Sequence, residues 1–166
     1  LEAAQRRKIA SILDKARVGP QDRVLEIGAG WGACAISAAR RGASVVTLTI
    51  SPRQYEYARE RVRREGLESR VSVRLQDYRR TSGLFDKIVS VEMIEALGHD
   101  NFGSFFASCD RLLAPDDLIV LQGITIPDQR YEAYRRGCDW IQKHVFPGAQ
   151  LPSLTALCGA MTASSS

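Results

Sequence analysis

The stretch that most constrains this chain is Val24–Gly32, in which a short apolar run leads into three alternate glycines. The run Val24–Ile27, with one acid in it, predicts a buried strand. The alanine-rich segment Ala33–Arg41 predicts a helix after the glycines. Such a turn presents backbone N–H groups, and the positive end of the helix dipole, at the carboxyl end of the strand. Because glycine lacks a Cβ atom, a ligand can approach this backbone closely, and the stretch predicts a cofactor site.

Residues around the turn discriminate between cofactors. Read as G-x-G-x-x-A, Gly28–Ala33 matches a dinucleotide fingerprint, which expects an acid about 20 residues further on. No Asp or Glu occurs between Gly28 and Glu56, so an oxidoreductase is disfavoured. Glu26 instead completes the pattern E-x-G-x-G-x-G, which resembles motif I of the class I methyltransferases and favours the cationic S-adenosylmethionine. A tight turn that binds nothing is the alternative, although three glycines are more than a turn needs.

Composition narrows the class of protein. A chain of 166 residues with 45% hydrophobic content predicts one globular domain with a real core. The formal net charge is +4, and arginines cluster over residues 53–74 and 130–136. These arginines predict either a solvated helix face or attraction to an anionic phospholipid surface. Nucleic acid is disfavoured because no aromatic stacking platform is interleaved with them.

Cysteine usage and hydropathy indicate the compartment. The four cysteines are widely scattered, with no C-x-x-C pattern and no partner histidines. They predict neither a metal site nor a disulfide framework, which indicates a reducing compartment. No run approaches 18 apolar residues and no signal peptide is visible, so we expect a cytoplasmic protein with at most peripheral membrane contact.

Strands and helices alternate along the chain up to Gln122. Predicted strands are Val24–Ile27, Ser44–Ile50, Val71–Leu75, Phe85–Val91 and Leu118–Gln122. Predicted helices are Leu1–Arg17, Ala33–Arg41, a helix opened by Ser51-Pro52 and closed by Gly66, Asn101–Leu113, Tyr131–His144 and Ser153–Met161, with the last three serines frayed. This alternation predicts a parallel sheet with right-handed crossovers, which binds ligands at the carboxyl ends of its strands. Four polar or glycine-rich stretches fall at those ends: Gly28–Gly32, Thr49–Gln54, Gln76–Tyr78 and Glu92–Glu95.

Several blocks of the sequence resemble one family closely. Upstream they are Ile50-Ser51-x-x-Gln54, Gln76-Asp77-Tyr78-Arg79 and the run from Ser90 to His99. Between Cys109 and Leu157 they are Cys-Asp-Arg-Leu-Leu, Leu-Gln-x-Ile-Thr-Ile-Pro-Asp-Gln-Arg-Tyr, Ile-x-x-x-x-Phe-Pro-Gly and Leu-Pro-Ser-Leu-Thr. In unbroken order over nearly the whole chain, these blocks are similar to the cyclopropane-fatty-acyl-phospholipid synthases.

The resemblance implies S-adenosylmethionine-dependent methylenation of a cis double bond in an unsaturated phospholipid at the membrane surface, with bicarbonate held in the active site. It implies a class I methyltransferase (Rossmann-like) α/β fold, with residues 1–125 as the cofactor-binding core and residues 126–166 as a helical cover for the acyl chain. The implied cofactor-binding residues are Glu26, Gly28, Gly30, Trp31, Gly32, Thr49, Ile50, Ser51, Gln54, Asp77 and Tyr78. The implied catalytic residues are Glu95 and, through the backbone around them, Gln122 and Ile124.

This chain departs from the family pattern at two residues and lacks segments that family members carry. Ala29 stands where many relatives have cysteine, and Gln122 where some have histidine. Family members also carry an upstream segment that covers the site and a downstream portion with a tyrosine that contacts bicarbonate. We therefore expect this chain to be the central part of a synthase that lacks the last two strands of the sheet.

Alternatives remain open at the level of residues and of function. Glu95 has the alternative of a solvated acid on a short helix, and for Glu92 a functional and a merely solvated role are equally open. His99 is expected to cap or orient the loop rather than to take part in the chemistry. The protein is alternatively a related methyltransferase acting on a small amine or another lipid, or a cofactor-binding fragment that is catalytically incomplete. The sequence leaves the oligomeric state, the acyl chain and the choice between a cyclopropane and a branched methyl product undecided.

Overall fold

The computed structural model describes residues 1–164 of the chain. Five strands form one sheet in the order β3-β2-β1-β4-β5. They are β1 (Arg23–Ile27), β2 (Ser44–Thr49), β3 (Val71–Leu75), β4 (Phe85–Val91) and β5 (Leu113–Gln122). The pairs β1–β2, β1–β4 and β2–β3 are parallel. The predicted parallel sheet of the class I methyltransferase type is confirmed.

Seven helices accompany the strands in the described part of the chain. They are α1 (Glu2–Lys15), α2 (Ala33–Ala39), α3 (Pro52–Arg64), α4 (Phe102–Leu112), α5 (Asp128–Arg135), α6 (Trp140–His144) and α7 (Leu154–Ser164). Short 3₁₀ turns occupy Tyr78–Arg80, Ile94–Ala96 and His99–Asn101. Among the described residues, no helix combines the length and the apolar character that crossing a bilayer requires.

The chain divides into two compact units. The first unit, Leu1–Ser90 with Leu112–Leu121, contains the sheet and helices α1 to α3. Its α2 packs on β2 and against α1, while α3 packs on β3. Buried Leu25 and Ile88 occupy neighbouring strands at the centre of this unit. Almost continuous burial along β1 is what a strand covered on both faces requires.

The start of α3 shows how local sequence sets an element boundary. Ser51 is the N-cap, and its hydroxyl accepts the backbone N–H of Gln54 at 3.3 Å, while Pro52 fills the first turn. Gly66 follows the helix with a φ of +67°, a left-handed conformation that glycine adopts without strain. Both ends of this helix were predicted from these residues.

The second unit consists of Val91–Arg111 and the chain from Gln122 onward. Its apolar centre includes Ile94, Phe102 and Phe105, all of them buried. Tyr131 on α5 is 4% exposed, and its hydroxyl lies 2.8 Å from Nδ1 of His99. A phenol buried to this extent needs such a partner.

Three predicted boundaries were wrong. The helix expected over Tyr131–His144 is broken into α5 and α6, because Asp139 caps a new helix and pairs reciprocally with Gln142. Strand β5 begins at Leu113 rather than Leu118 and runs through Pro115, which fits the last position in the strand order because an edge strand tolerates a missing N–H. Helix α7 continues past Met161 to Ser164; the fraying expected of residues 165 and 166 lies outside the described residues.

Candidate active site

The three glycines after β1 all adopt positive φ, at +99° for Gly28, +49° for Gly30 and +81° for Gly32. Their roles differ. A Cβ on Gly32 would lie 3.3 Å from Cβ of Ala58, so this glycine allows α2 and α3 to pack closely. A Cβ on Gly30 would meet no atom within 4 Å. The backbone is therefore open at Gly30, the middle glycine, and a ligand could approach it closely there.

Some backbone N–H groups of this turn form hydrogen bonds within the described residues and two do not. The N–H groups of Gly28 and Ala29 both donate to the carbonyl of Leu48 on β2, at 3.0 and 2.7 Å. The N–H groups of Gly30 and Trp31 have no acceptor within residues 1–164. Two donors therefore remain beside the open space, as a cradle for an acidic or polar ligand group requires.

Glu26 lies beneath the turn and is 3% exposed. Its Oε2 accepts the hydroxyl of Thr47 at 2.5 Å, and its carboxyl also accepts from the thiol of Cys34 and the backbone N–H of Ala35. Burial raises the pKa of Glu26 to about 7, and these hydrogen bonds oppose that effect only in part. Glu26 thus ties β1, β2 and the first turn of α2 together, while its predicted contact with the cofactor stays a prediction.

The residues predicted after β2 form one hydrogen-bonded group. The Thr49 hydroxyl donates to Oε1 of Gln54 at 3.0 Å and accepts the N–H of Ser51 at 3.1 Å. Between them Ile50 is 77% exposed. An apolar side chain held out beside polar groups is a suitable surface for the flat face of an adenine or a ribose.

The acid predicted after β3 already has a protein partner. Both oxygens of Asp77 accept hydrogen bonds from the guanidinium of Arg79, the shorter at 2.5 Å. These hydrogen bonds hold the pKa of Asp77 below its usual range. The guanidinium of Arg79 also lies 5.8 Å from the ring centroid of Tyr78. Arg79 was not predicted to act here, and a ligand of Asp77 has to share the carboxylate with it.

The exposed Trp31 is supported from α3. Its ring meets that of Tyr57 edge to face, with centroids 5.2 Å apart, and its carbonyl accepts from Arg61 at 3.1 Å. Neither Tyr57 nor Arg61 was identified from sequence. The only sequence feature that could have indicated them was their position on the helix after the Ser51 cap. Contacts between this helix and the glycine turn leave no pattern in the local sequence.

Glu95, Gln122 and Ile124 come together in the second unit. One carboxylate oxygen of Glu95, Oε1, accepts the N–H of Ile124 at 2.6 Å. The other oxygen, Oε2, is buried without a hydrogen-bond donor among the described residues, and so is Oε1 of Gln122. Two buried acceptors without donors are unusual in proteins, and they indicate a place for a group that brings its own O–H or N–H.

Sequence reasoning missed two residues that hold this acid in place. A Cβ on Gly123 would lie 2.7 Å from Cγ2 of Ile94 and 3.3 Å from Oε1 of Glu95, so only glycine fits. Gln150 donates its N–H to the carbonyl of Glu95 at 2.7 Å and accepts the N–H of His99 at 2.9 Å. Gly123 was recognisable as a glycine directly after a strand, whereas Gln150 gave no signal because its partners are distant in sequence.

The residues whose roles the sequence left open, Glu92 and His99, form contacts within the protein. Glu92 has a φ of +51°, and its N–H donates to the carbonyl of Gln122 at 2.8 Å. His99 contacts Tyr131 through its ring, and its expected role in capping or orienting the loop stays a prediction. All four cysteines are free thiols; Cys34 and Cys109 are buried, which raises the pKa of both.

The fold is that of an S-adenosylmethionine-dependent methyltransferase domain, and comparison with known proteins gives the family. The model of the mycolic acid cyclopropane synthetase family matches residues 1–165. The chain belongs to this family of S-adenosylmethionine-dependent methyltransferases, as the sequence resemblance predicted.

Individual relatives carry related names. The chain is 46% identical to the tuberculostearic acid methyltransferase UfaA1 of Mycobacterium tuberculosis (strain ATCC 25618 / H37Rv), covering 95% of this chain and 37% of that protein. It is 41% identical to the cyclopropane-fatty-acyl-phospholipid synthase of Escherichia coli (strain K12), covering 93% of this chain and 38% of that protein. The chain thus spans less than two fifths of the length of these two relatives.

A solved structure supports the same placement. The mycolic acid cyclopropane synthase CmaA1, solved in complex with SAH and CTAB, superposes with a TM-score of 0.87 at 29% identity. The match covers 98% of this chain and 61% of that protein.

Proposed function

We propose that the protein containing this chain transfers a methylene group from S-adenosylmethionine to the cis double bond of unsaturated phospholipid acyl chains, in lipid biosynthesis at the membrane surface. The observation that carries the proposal is the environment of Glu95. Its carboxylate is oriented by the Ile124 N–H at 2.6 Å, while its second oxygen is buried without a donor among residues 1–164. An acid so prepared suits a reaction that develops positive charge and then releases a proton.

The glycine turn supports the cofactor part of the proposal. The N–H groups of Gly30 and Trp31 would hold the methionine part of S-adenosylmethionine above the open space at Gly30. The remaining predicted ligands would hold the ribose and adenine. These are Thr49, Ile50, Ser51, Gln54, Asp77 and Tyr78, while Glu26, Gly28 and Gly32 would complete the methionine and ribose side. When bound, this cofactor supplies an electrophilic methyl group on a sulfonium, and residues 1–125 are proposed to form its domain while residues 126–166 cover the acyl chain.

The chemistry assigns a limited role to Glu95. The alkene's π electrons form a bond to the methyl carbon as the bond from that carbon to sulfur breaks, and the resulting cation loses a proton from the added carbon to close the ring. A carboxylate in a water-poor site stabilises the positive charge. Glu95 is not the proton acceptor in this proposal, because an acid that holds an anion by accepting that anion's O–H is not available to take the proton. The buried Oε2 of Glu95, which has no donor among the described residues, supports such a contact with a small group that donates an O–H. Bicarbonate, implied by the family resemblance, would be such a group, and as the base it would take the proton that the added carbon releases.

A second outcome of the same first step has support of its own. The relative with 46% identity is named a methyltransferase, whereas the one with 41% identity is named a cyclopropane synthase. If the cation instead loses a proton from a neighbouring carbon of the chain, no ring forms. The product is then an open-chain unsaturated lipid with a methyl branch. No feature of the described residues favours a small amine as the acceptor.

The test uses the full-length protein, S-adenosylmethionine with a trideuterated methyl group, and vesicles of dioleoyl phospholipid. We expect a cyclopropane product that retains two of the deuterium atoms, identified by mass spectrometry and by the ring protons in NMR. Distearoyl phospholipid, which has no double bond, should stay unlabelled. A labelled open-chain product would show that the protein forms a methyl-branched lipid instead of a cyclopropane. Absence of any labelled lipid would refute the proposal.

Glu95→Gln in the same protein should lower turnover by at least about tenfold, equivalent to about 1.4 kcal/mol of transition-state stabilisation. Affinity for S-adenosylhomocysteine, measured by calorimetry, should change little. Glu92→Gln, at the neighbouring acid, is the matched control. If cofactor affinity fell while turnover per bound enzyme did not, Glu95 would be a cofactor ligand instead.

A further inference from the structure

The carboxylate of Asp77 is held by hydrogen bonds from a single residue, Arg79. Nε of the Arg79 guanidinium donates to Oδ1 at 3.0 Å and lies 3.2 Å from Oδ2, while Nη2 donates to Oδ2 at 2.5 Å. The backbone N–H of Arg79 donates to Oδ1 at 2.9 Å. An exposed ion pair between two flexible side chains is usually poorly ordered. Here a two-armed guanidinium contact and a backbone contact together fix the plane of the carboxylate.

These contacts leave one acceptor position on the carboxylate of Asp77. An ionised carboxylate has about four lone-pair sites on its two oxygens. The two arms of the guanidinium occupy one site on each oxygen, and the backbone N–H of Arg79 occupies the second site on Oδ1. One site of Oδ2 therefore remains, on a side chain that is 28% exposed. A single acceptor can bind one N–H group, whereas the two hydroxyls of a ribose would need both oxygens.

The backbone places this remaining acceptor beside the residues that follow β2. Leu75 pairs with Thr49 in the parallel sheet, and the N–H of Gln76 donates to the carbonyl of Thr49 at 2.9 Å. Asp77 is the next residue, and all of these residues belong to the first compact unit. The acceptor on Asp77 thus lies at the same edge of the sheet as the exposed Ile50, whose side chain suits the flat face of an adenine.

We propose that Arg79 is a positioning residue, which directs the one free acceptor of Asp77 at the amino group of adenine and so makes the cofactor site selective for a 6-aminopurine. A 6-oxopurine carries an oxygen in place of that amino group, and a carboxylate fixed opposite this oxygen repels it. The nearest N–H of a 6-oxopurine lies one ring atom away, where only a carboxylate that is free to turn could reach it. The inference rests on the proposed function, since it takes the adenosyl group of S-adenosylmethionine as the ligand.

Calorimetry on the full-length protein tests the proposal, with S-adenosylhomocysteine and with S-inosylhomocysteine, which carries a 6-oxopurine. The parent should prefer the adenosyl ligand by at least about tenfold. Arg79→Gln should reduce this preference by about three- to tenfold, because a carboxylate that is no longer fixed has to be ordered when the ligand binds. Arg80→Gln is the matched control and should keep the preference. Arg80 is the next residue of the same exposed turn, and it acts on the Asp77 carboxyl through its charge.

Two further variants separate orientation of the carboxylate from charge and from folding. Arg79→Lys keeps the positive charge but lacks the planar two-armed donor, so it should lose the preference as Arg79→Gln does. In an Asp77→Asn background, Arg79→Gln should not change the ratio of the two affinities further, because no carboxylate is left to orient. A purely structural role of Arg79 would lower the affinities for both ligands together and leave their ratio unchanged.

The outcomes separate this inference from the proposed function. Equal affinity of the parent for the two ligands, or a ratio that Arg79→Gln leaves unchanged, would overturn the positioning role alone. Tighter binding of S-adenosylhomocysteine by Arg79→Gln would show that Arg79 competes with the ligand, and the parent ratio in Arg79→Lys would show that charge suffices; either result would overturn it as well. A parent that binds neither ligand would refute the cofactor part of the proposed function, and this inference with it.

Discussion

At the scale of single residues, Gly28, Gly30 and Gly32 share positive φ and differ in what surrounds them. Gly32 is packed against Ala58, so its glycine is explained by folding alone. Gly30 has open space around it, and nothing in the fold of the described residues uses that space. The pattern E-x-G-x-G-x-G therefore combines a packing requirement with a binding requirement.

Gly30→Val should abolish binding of S-adenosylmethionine and S-adenosylhomocysteine, because a branched side chain would fill the space above the turn. Gly66→Val is the matched control: Gly66 also has positive φ and no atom within 4 Å of an added Cβ, so the backbone strain is similar. Calorimetry with both ligands, and with NAD for comparison, measures the effect. Binding of NAD alone, or equal losses in the two variants, would contradict the cofactor assignment.

Glu26→Gln should change how stability depends on pH. The carboxyl of native Glu26 keeps its proton up to a pKa of about 7, whereas in the unfolded chain it ionises near 4.5. Between these values the native state binds more protons, so this group lowers stability as pH rises through that window.

The free energy of unfolding of Glu26→Gln, relative to the parent, should therefore increase by roughly 2 to 3 kcal/mol between pH 5 and pH 8. Urea unfolding without ligand at both pH values measures this difference. Glu2→Gln, at an exposed acid, should show a much smaller change. Parallel pH profiles for the Glu26 variant and the parent would show that Glu26 is already ionised in the native protein.

At the scale of elements, the N-terminus of α3 has two functions. The Ser51 hydroxyl caps the helix, while Thr49, Ile50 and Gln54 around it are proposed to hold the cofactor. Stability and binding can therefore change separately on substitution here.

Ser51→Ala should cost about 1 kcal/mol in the free energy of unfolding, because the N–H of Gln54 loses its acceptor. Ser51→Asp should recover most of this loss, since aspartate also caps and favours a helix N-terminus. Urea unfolding of ligand-free protein compares the three. Equal losses in the two variants would mean that the hydroxyl acts through packing rather than capping.

At the scale of the whole molecule, β5 is the last strand in the order of the described sheet. Its residues Leu118–Leu121 are apolar and uncharged, and they are only partly buried. A strand of this composition with an unpaired edge favours pairing with another chain.

A protein consisting of only the 166 residues should be marginally stable, self-associate, and lack activity on phospholipid even if it binds cofactor. Val120→Lys should reduce self-association, since lysine on an edge strand opposes edge-to-edge pairing, and Val120→Thr is the uncharged control. Light scattering and a methyl-transfer assay on unsaturated phospholipid vesicles provide the measurements. A monodisperse monomer that modifies lipid would contradict this expectation.

The amino-acid sequence alone was enough to predict the order of strands and helices along the chain, the caps of α3 and the glycine turn after β1. These features depend on residues close together in the chain, where hydrophobic period, capping and glycine conformation act locally. The errors arose where such local patterns were overridden. The hydrophobic period predicted one helix over Tyr131–His144, but Asp139 caps a separate helix within it. Strand β5 extends through Pro115 because the edge of a sheet tolerates proline.

Which groups remain free for a ligand became clear only from contacts in the folded chain. It showed Asp77 already paired with Arg79, and Glu26 buried beneath the turn, where desolvation raises the pKa of its carboxyl to about 7. It also showed Gly123 and Gln150 fixing Glu95 from distant parts of the sequence. Burial and hydrogen-bond partners depend on contacts between segments far apart in the chain, and a local pattern of residue types does not encode them.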